Sequence, residues 1–420
     1  MYLFNNIRKQ LLSPKGWVLL DQAVFSATSF ISTLLLARQL GIRSFGVYSL
    51  IVLYLYLLLG ISSALITGPF QVLYAANPQP GKYISSLALL QPGIILLFCG
   101  LTYGLALFNT ALLPGLKENI VPVMIMLTGF LLQDFYRRIL LALNRPRPVF
   151  IADALGGLLQ SGILLYYYLT GGLTLQLGFY VIGLTYIPSL LVAFPAIGFK
   201  RVRLNEIRMV AKLHVHHGKW LLATSLLQWW GNNFLMATAG IFVGYAALGA
   251  LRLSQTLFGV LNAVLAVLEN YVLPRASALL HQQNTTGFSK YLYQTGRQTL
   301  LFSLPFLLAA FLFPGYILSL AGGAGFTAYA YALQGTALLY IIIVMGYPLR
   351  IAVRALLLNK EFFAAYLVSG LFSLVAAKVI VQQWQLAGVI AALLANQLLM
   401  LAYWHRVLKN NNIIIWKLFM

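Results

Sequence analysis

From Trp17 to Leu36 the chain is a single apolar run of 20 residues whose one charge, Asp21, stands near its start. At about 1.5 Å per residue such a run makes a helix roughly 30 Å long, the thickness of a bilayer's hydrocarbon core. It stops at Arg38, a polar elbow of Gly41, Arg43, Ser44 and Gly46 follows, and a second apolar run begins at once. This is a membrane-spanning helical hairpin, and the pattern repeats along the chain.

Composition agrees. Hydrophobic residues make up 61% and charged residues only 8% of the 420, whereas average soluble domains carry about 25% charge. The net charge of +21 raises nucleic acid as a partner. That reading needs a basic face on a folded soluble domain, and the bases here fall between apolar runs, so no nucleic acid is expected. The single cysteine, Cys99, lies inside an apolar run, which rules out a disulfide framework within the chain and a thiol metal site.

Twelve spans are expected, near 17–38, 46–68, 84–107, 119–141, 149–170, 175–197, 219–243, 248–273, 298–321, 326–348, 362–381 and 385–406. Cytoplasmic loops hold the excess of Lys and Arg. With the N-terminus inside, the inner segments hold 23 bases and the outer segments only Arg38, Arg43 and Lys117. A miscounted helix would scramble this alternation, so both termini are expected in the cytoplasm.

The basic stretch near the midpoint separates six spans from six. The expected division is a first lobe over 1–198, a basic cytoplasmic linker loop over 199–217 lying along the inner leaflet, and a second lobe over 218–420. Both lobes enter the membrane from the same side, which allows a parallel repeat about an axis along the membrane normal. Leu40–Leu50 overlays Val243–Leu253 at an offset of 203, with Gly41 on Gly244 and Gly46 on Gly249.

Enzyme signals are thin. No G-x-x-x-x-G-K-[ST] phosphate loop occurs, seven acidic residues leave little for paired-carboxylate catalysis, and His214-x-His216-His217 has no Cys or carboxylate pair beside it to complete a metal site. No enzyme activity, metal or cofactor is expected. The glycines Gly322, Gly323 and Gly325 suit a tight outer turn, and Pro188, Pro195, Pro305 and Pro314 interrupt two spans.

Ionisable residues within spans are the better clue. Asp21, Asp134, Asp153 and Glu269 lie near cytoplasmic ends, and Arg38, Arg252 and Lys378 near outer ends. Asp134 has Arg137 and Arg138 three and four residues on, a local helical ion pair, and Asp153 stands close enough to Arg145 and Arg147 to neutralise that loop. Asp21 and Glu269 have no local base and are candidates for ion coupling. If Arg38, Arg252 and Lys378 face one cavity, they form a cationic site suited to phosphate, although bases near an interface also snorkel. Trp229 and Trp230, with Asn232 and Asn233 just beyond, fall mid-span as a possible sugar-contacting wall, and interfacial belts explain most other aromatics.

Three stretches carry a family resemblance: D-Q-A-V-F-S-A-T-S-F from Asp21, A-R-Q-L-G-I-R-S-F-G-V-Y-S-L from Ala37, and G-K-W-L-L-A-T-S-L-L-Q-W-W-G-N-N-F from Gly218. They resemble bacterial oligosaccharide flippases, the polysaccharide branch of the superfamily that also holds the multidrug and toxic compound extruders (MOP). The resemblance spans the chain in length, span count and halves. It implies an all-α, MATE-like V-shaped transporter of two pseudo-symmetric six-helix lobes in the bacterial inner membrane. By alternating access, such a protein carries an undecaprenyl-diphosphate-linked oligosaccharide to the outer leaflet for capsule, exopolysaccharide or O-antigen synthesis. Implied partners are that lipid-linked substrate, membrane lipid, and polysaccharide polymerase and export proteins. Members often keep basic residues in the central cavity, which fits Arg38 and Arg252. Lipid II flippases of the superfamily usually have fourteen spans, which weighs against a peptidoglycan substrate here. Two other readings remain: an ion-coupled multidrug exporter of the same fold, which predicts an acid-lined cavity, and a membrane glycan polymerase or ligase, which needs a larger outer loop.

Overall fold

A computed structural model describes residues 13–74, 77–108, 113, 115–282 and 285–415, and within these the side chains of residues 14, 15, 232, 267, 270 and 281 lie outside the description. Among the described residues the regular structure is all helical. The first hairpin is α1 (Pro14–Ser62), interrupted at Gly41, whose φ of 71° and ψ of 166° make two helices of one run. A π-turn leads into α2 (Gly68–Leu73), followed by α3 (Pro80–Leu107), α4 (Ile120–Ala142), α5 (Pro146–Leu169), α6 (Leu175–Leu184) and α7 (Tyr186–Ala193). Then come α8 (Leu204–Thr238), α9 (Tyr245–Leu257), α10 (Gly259–His281), α11 (Thr285–Leu312), α12 (Pro314–Gly322), α13 (Ala330–Ala355), α14 (Asn359–Ala376) and α15 (Gln382–Asn410).

Local chemistry sets the ends. Proline opens α1, α3, α5 and α12, where its missing N–H costs nothing. Ser13 and Thr174 cap α1 and α6 by accepting from the N–H groups of Gly16 and Leu177. α6 and α7 part at Thr185, because Pro188 has no N–H to offer the carbonyl of Leu184. Gly323, at φ 92°, makes the turn after α12.

Among the described residues nine helical segments are long and apolar enough to cross a membrane, two of them 58 and 52 residues long. At 1.5 Å per residue each of those two is roughly 80 Å, more than twice the bilayer core. Gly41 and Gln385 interrupt them, so each supplies two crossings. The seventh expected span is less apolar: only Asn233–Val243 stands out there as a short apolar helix.

The described residues cluster into two compact units, one from 13–40 with 47–226, the other from 41–46 with 227–415. In the first unit α4 is central, packing on α3, α5, α6 and α7. A Cβ on Gly129 would strike the carbonyl of Gly183, and one on Gly183 the backbone of Met126, so small residues let α4 and α6 backbones meet, as membrane helices require. In the second unit α13 holds the same place among α9, α10, α11, α14 and α15.

The expected linker loop over 199–217 is corrected by the structure: from Leu204 onward it is helix, continuous with the following span. Glu206 accepts from the Arg203 N–H at 2.7 Å and pairs with Lys82 at 2.8 Å, closing the helix start. His214, buried on the same helix, lies 2.5 Å from the Tyr83 hydroxyl and 2.9 Å from the Leu65 carbonyl. These bonds fix the segment against the first unit, where sequence showed only scattered bases.

The offset of 203 also has a geometric counterpart. Within the second unit, a Cβ on Gly46 would collide with the carbonyl of Tyr245, and a Cβ on Gly249 with the carbonyl of Ile42. Residues 42 and 245, like 46 and 249, are 203 apart. Each glycine thus faces the residue that lies 203 positions from the one facing the other.

Candidate functional site

Two acid–guanidinium clusters stand on the central helices, one in each unit. On α4, Arg137 bridges two carboxylates: its Nη2 donates to Asp21 at 2.5 Å and its Nε to Asp153 at 3.0 Å. Gln133, one turn earlier, donates to the other oxygen of Asp153 at 2.6 Å, and the guanidinium lies 5.0 Å over the ring of Phe25. The Asp21 side chain is 0% exposed, and its Oδ1 has no hydrogen-bond partner. Two carboxyl groups share one guanidinium, so acids outnumber bases in the triad. The expectation that Asp153 neutralises the 145–147 loop is corrected: it turns to Arg137, while Arg145 donates to the Ala196 carbonyl. Asp134 pairs with Arg138 four residues on, at 2.8 Å, as its spacing predicts.

In the second unit Glu269 on α10 is held by Arg350 and Arg354, one helical turn apart on α13. One carboxylate faces two guanidiniums, so the balance is positive. Beside it opens a cavity of about 350 Å³. Helical periodicity builds its walls: Asn262, Leu265, Ala266 and Glu269 recur along one face of α10, and Gln397, Met400, Leu401 and Trp404 along one face of α15. α13 adds Gly346, Tyr347 and Arg350, α8 adds Gln228, and α14 adds Tyr366. Two wall groups are already satisfied: the Tyr347 hydroxyl donates to the Leu265 carbonyl and the Asn262 amide to the Tyr340 hydroxyl, each at 2.7 Å. Two are not. Among the described residues, Arg350 Nε and Trp404 Nε1 are buried donors without an acceptor.

The other residues singled out in the sequence fall as follows. Arg38 is exposed in the first unit; in the second, Lys378 is exposed on the π-turn after α14, and Arg252 is half-buried on α9 with Tyr340 among its electrostatic neighbours. Arg252 and Lys378 do not line the 350 Å³ cavity. Nor do Trp229, Trp230 and Asn233. Trp230 stacks on Phe234 at 4.2 Å, and the Asn233 amide donates to the Trp229 carbonyl of its own helix. The Asn232 side chain lies outside the described residues. Sequence reasoning gave Arg137 to Asp134, three residues back, and the structure turns it to Asp21 and Asp153 instead; it missed Arg350 and Arg354 as partners of Glu269 because it counted both as loop charges. The spacing of Arg350 and Arg354, which puts both on one helix face, was the signal available. Gln228, Gln397 and Trp404 carried none.

Known structures share this fold. A lipid II flippase, MurJ, in an inward closed conformation matches 93% of this chain and 86% of its own length with a TM-score of 0.73 at 15% identity. An inward-facing multidrug resistance MATE transporter of the MOP superfamily matches 93% and 95% with a TM-score of 0.72 at 12% identity. A eukaryotic MATE transporter matches 97% and 96% with a TM-score of 0.63 at 15% identity. No protein-family model and no curated protein sequence matches the chain. The chain is therefore a multi-pass membrane protein by its apolar helices, and it shares its fold with these transporters and this flippase.

Proposed function

We propose that the chain is a flippase of the bacterial inner membrane. It moves an undecaprenyl-diphosphate-linked oligosaccharide from the cytoplasmic to the outer leaflet by alternating access, feeding surface polysaccharide synthesis and its polymerase and export proteins. The observation that carries this reading is the charge balance beside the second unit's cavity, where Glu269 in the wall is outnumbered by Arg350, also in the wall, and Arg354 behind it. A glycan and two phosphates need donors to replace water, and guanidiniums supply the strongest. An exporter of cations needs uncompensated carboxylate. In this proposal Arg38, Arg252 and Lys378 contact the diphosphate or acidic sugars, Trp229, Trp230, Asn232 and Asn233 serve as sugar contacts away from the cavity, and Asp21 and Glu269 are the ion-coupling acids. Binding that differs between inward and outward states sets direction.

One observation favours the second reading, an ion-coupled multidrug exporter: the excess carboxylate of Asp21 and Asp153 in the first unit. A deletion strain decides. Complete lipid-linked repeat units trapped on the cytoplasmic leaflet, released by wild type and poorly by Arg252→Ala, support the flippase. Unchanged lipid-linked glycans with new sensitivity to cationic drugs establish the exporter instead.

A further inference from the structure

Arg350 Nε and Trp404 Nε1 are the feature of the second unit that folding alone leaves unexplained. Both are buried without an acceptor, a cost of about 1–3 kcal/mol for each such group. Trp404 is 5% exposed and stacks on Phe362 at 6.1 Å, with planes 12° apart, so its ring is held in place. Both residues line the same 350 Å³ cavity, within the roughly 300–1,000 Å³ range of small-molecule sites. The side-chain amides of Gln228 and Gln397 face the same space and make no hydrogen bond among the described residues.

This wall selects its ligand by chemistry. Buried N–H donors repel an organic cation, and Glu269, already between two guanidiniums, offers it no free carboxylate, whatever proton the acid exchanges in coupling. An acyl tail would leave every polar group unsatisfied. What fits is a ring rich in acceptor oxygens, whose hydroxyls both give and take hydrogen bonds at planar amides and whose C–H face lies on an aromatic ring such as Trp404 or Tyr366. A sugar has all three properties.

We propose that this cavity is a loading site for a sugar unit of the lipid-linked glycan, with ring, hydroxyl or carboxylate oxygens accepting from Arg350 Nε and Trp404 Nε1. The assignment rests on the flippase reading. Its lining comes from the cytoplasmic halves of the five spans that build it, in the orientation given by the Lys and Arg bias, so the site meets the glycan where it is made.

Two variants test it. Trp404→Phe keeps an aromatic ring beside Phe362 and removes the indole N–H together with part of the bicyclic ring, and Arg350→Gln leaves Glu269 paired with Arg354. Purified full-length protein is titrated with glucose, N-acetylglucosamine and glucuronate by calorimetry, and both variants are returned to the deletion strain. The expected result is saturable binding of at least one of these sugars, weakened about threefold to tenfold by Trp404→Phe and tenfold or more by Arg350→Gln. Release of the trapped lipid-linked units falls in the same order, with the thermal unfolding of the variants near that of wild type. Variants that restore transport as fully as wild type overturn the cavity assignment and leave the flippase reading standing. A deletion strain with no trapped units overturns the flippase reading itself, and the cavity assignment with it.

Discussion

Arg137 carries more of the first unit than its place near a span end suggests. It is the one described base bonded to both Asp21 and Asp153, and removing one member of a buried ion cluster leaves charge that neither water nor protein solvates. Arg137→Ala is expected to cost about 3–5 kcal/mol, the usual penalty for such a loss. Adding Asp21→Asn and Asp153→Asn restores part of it, since the stranded charges are then gone. Thermal unfolding in detergent reads both effects; an Arg137→Ala protein as stable as wild type would show that the cluster is solvated. This cluster also marks the limit of sequence reasoning about residues. Asp134 and Arg138 were legible because four residues on a helix share a face. The pairing of Asp153 with a guanidinium 16 residues back depends on how α4 and α5 lie together, which spacing along one chain does not encode.

Single elements show the same division between local and packed information. The glycine elbow at 41–46 was legible as a repeat of 244–249, and its cause is steric: Gly46 and Gly249 sit where carbonyls of Tyr245 and Ile42 leave no room for a Cβ. Gly46→Ala and Gly249→Ala are each expected to destabilise by about 1–3 kcal/mol or more through overpacking. Gly104→Ala, with nothing within 4 Å, changes stability by no more than about 1 kcal/mol and in the stabilising direction. Equal unfolding temperatures for the three variants would dismiss the close crossing. The linker helix, by contrast, was not legible, because its hold is a buried histidine rather than a hydrophobic stripe. Burial pushes the His214 imidazole below its ordinary value, so the native state favours the neutral ring. Its contribution is whole above about pH 6.5 and is lost as pH falls through that value to the lower native one, where the charged ring loses its role as acceptor from Tyr83. The protection of amides around 210–218, taken relative to their intrinsic exchange rate at each pH, is therefore expected to fall between pH 7 and pH 5 in wild type. In His214→Gln it should depend far less on structural opening by acid; an identical pH response in the two proteins would place the switch elsewhere.

At the scale of the whole molecule, hydropathy and charge were nearly sufficient for the fold: run length sets the spans, and the alternation of Lys and Arg sets their order. The composition of the site was not. A span buried in lipid is apolar on every side, so no hydrophobic stripe tells which face turns inward, and Arg252 and Lys378 could not be told from Arg350 by sequence. Orientation is the global quantity on which the loading site depends, and the single Cys99 makes it measurable. On a Cys99→Ser background, Lys117→Cys is expected to react with an impermeant maleimide in intact cells, because it is exposed and the Lys and Arg bias assigns its segment to the outside. Arg201→Cys and Lys360→Cys, exposed in segments the same bias assigns to the inside, should react only after the membrane is opened. The reverse pattern would invert every span at once. It would place Arg350, Trp404 and Glu269 toward the outer leaflet, and the same cavity would then release a sugar rather than load one.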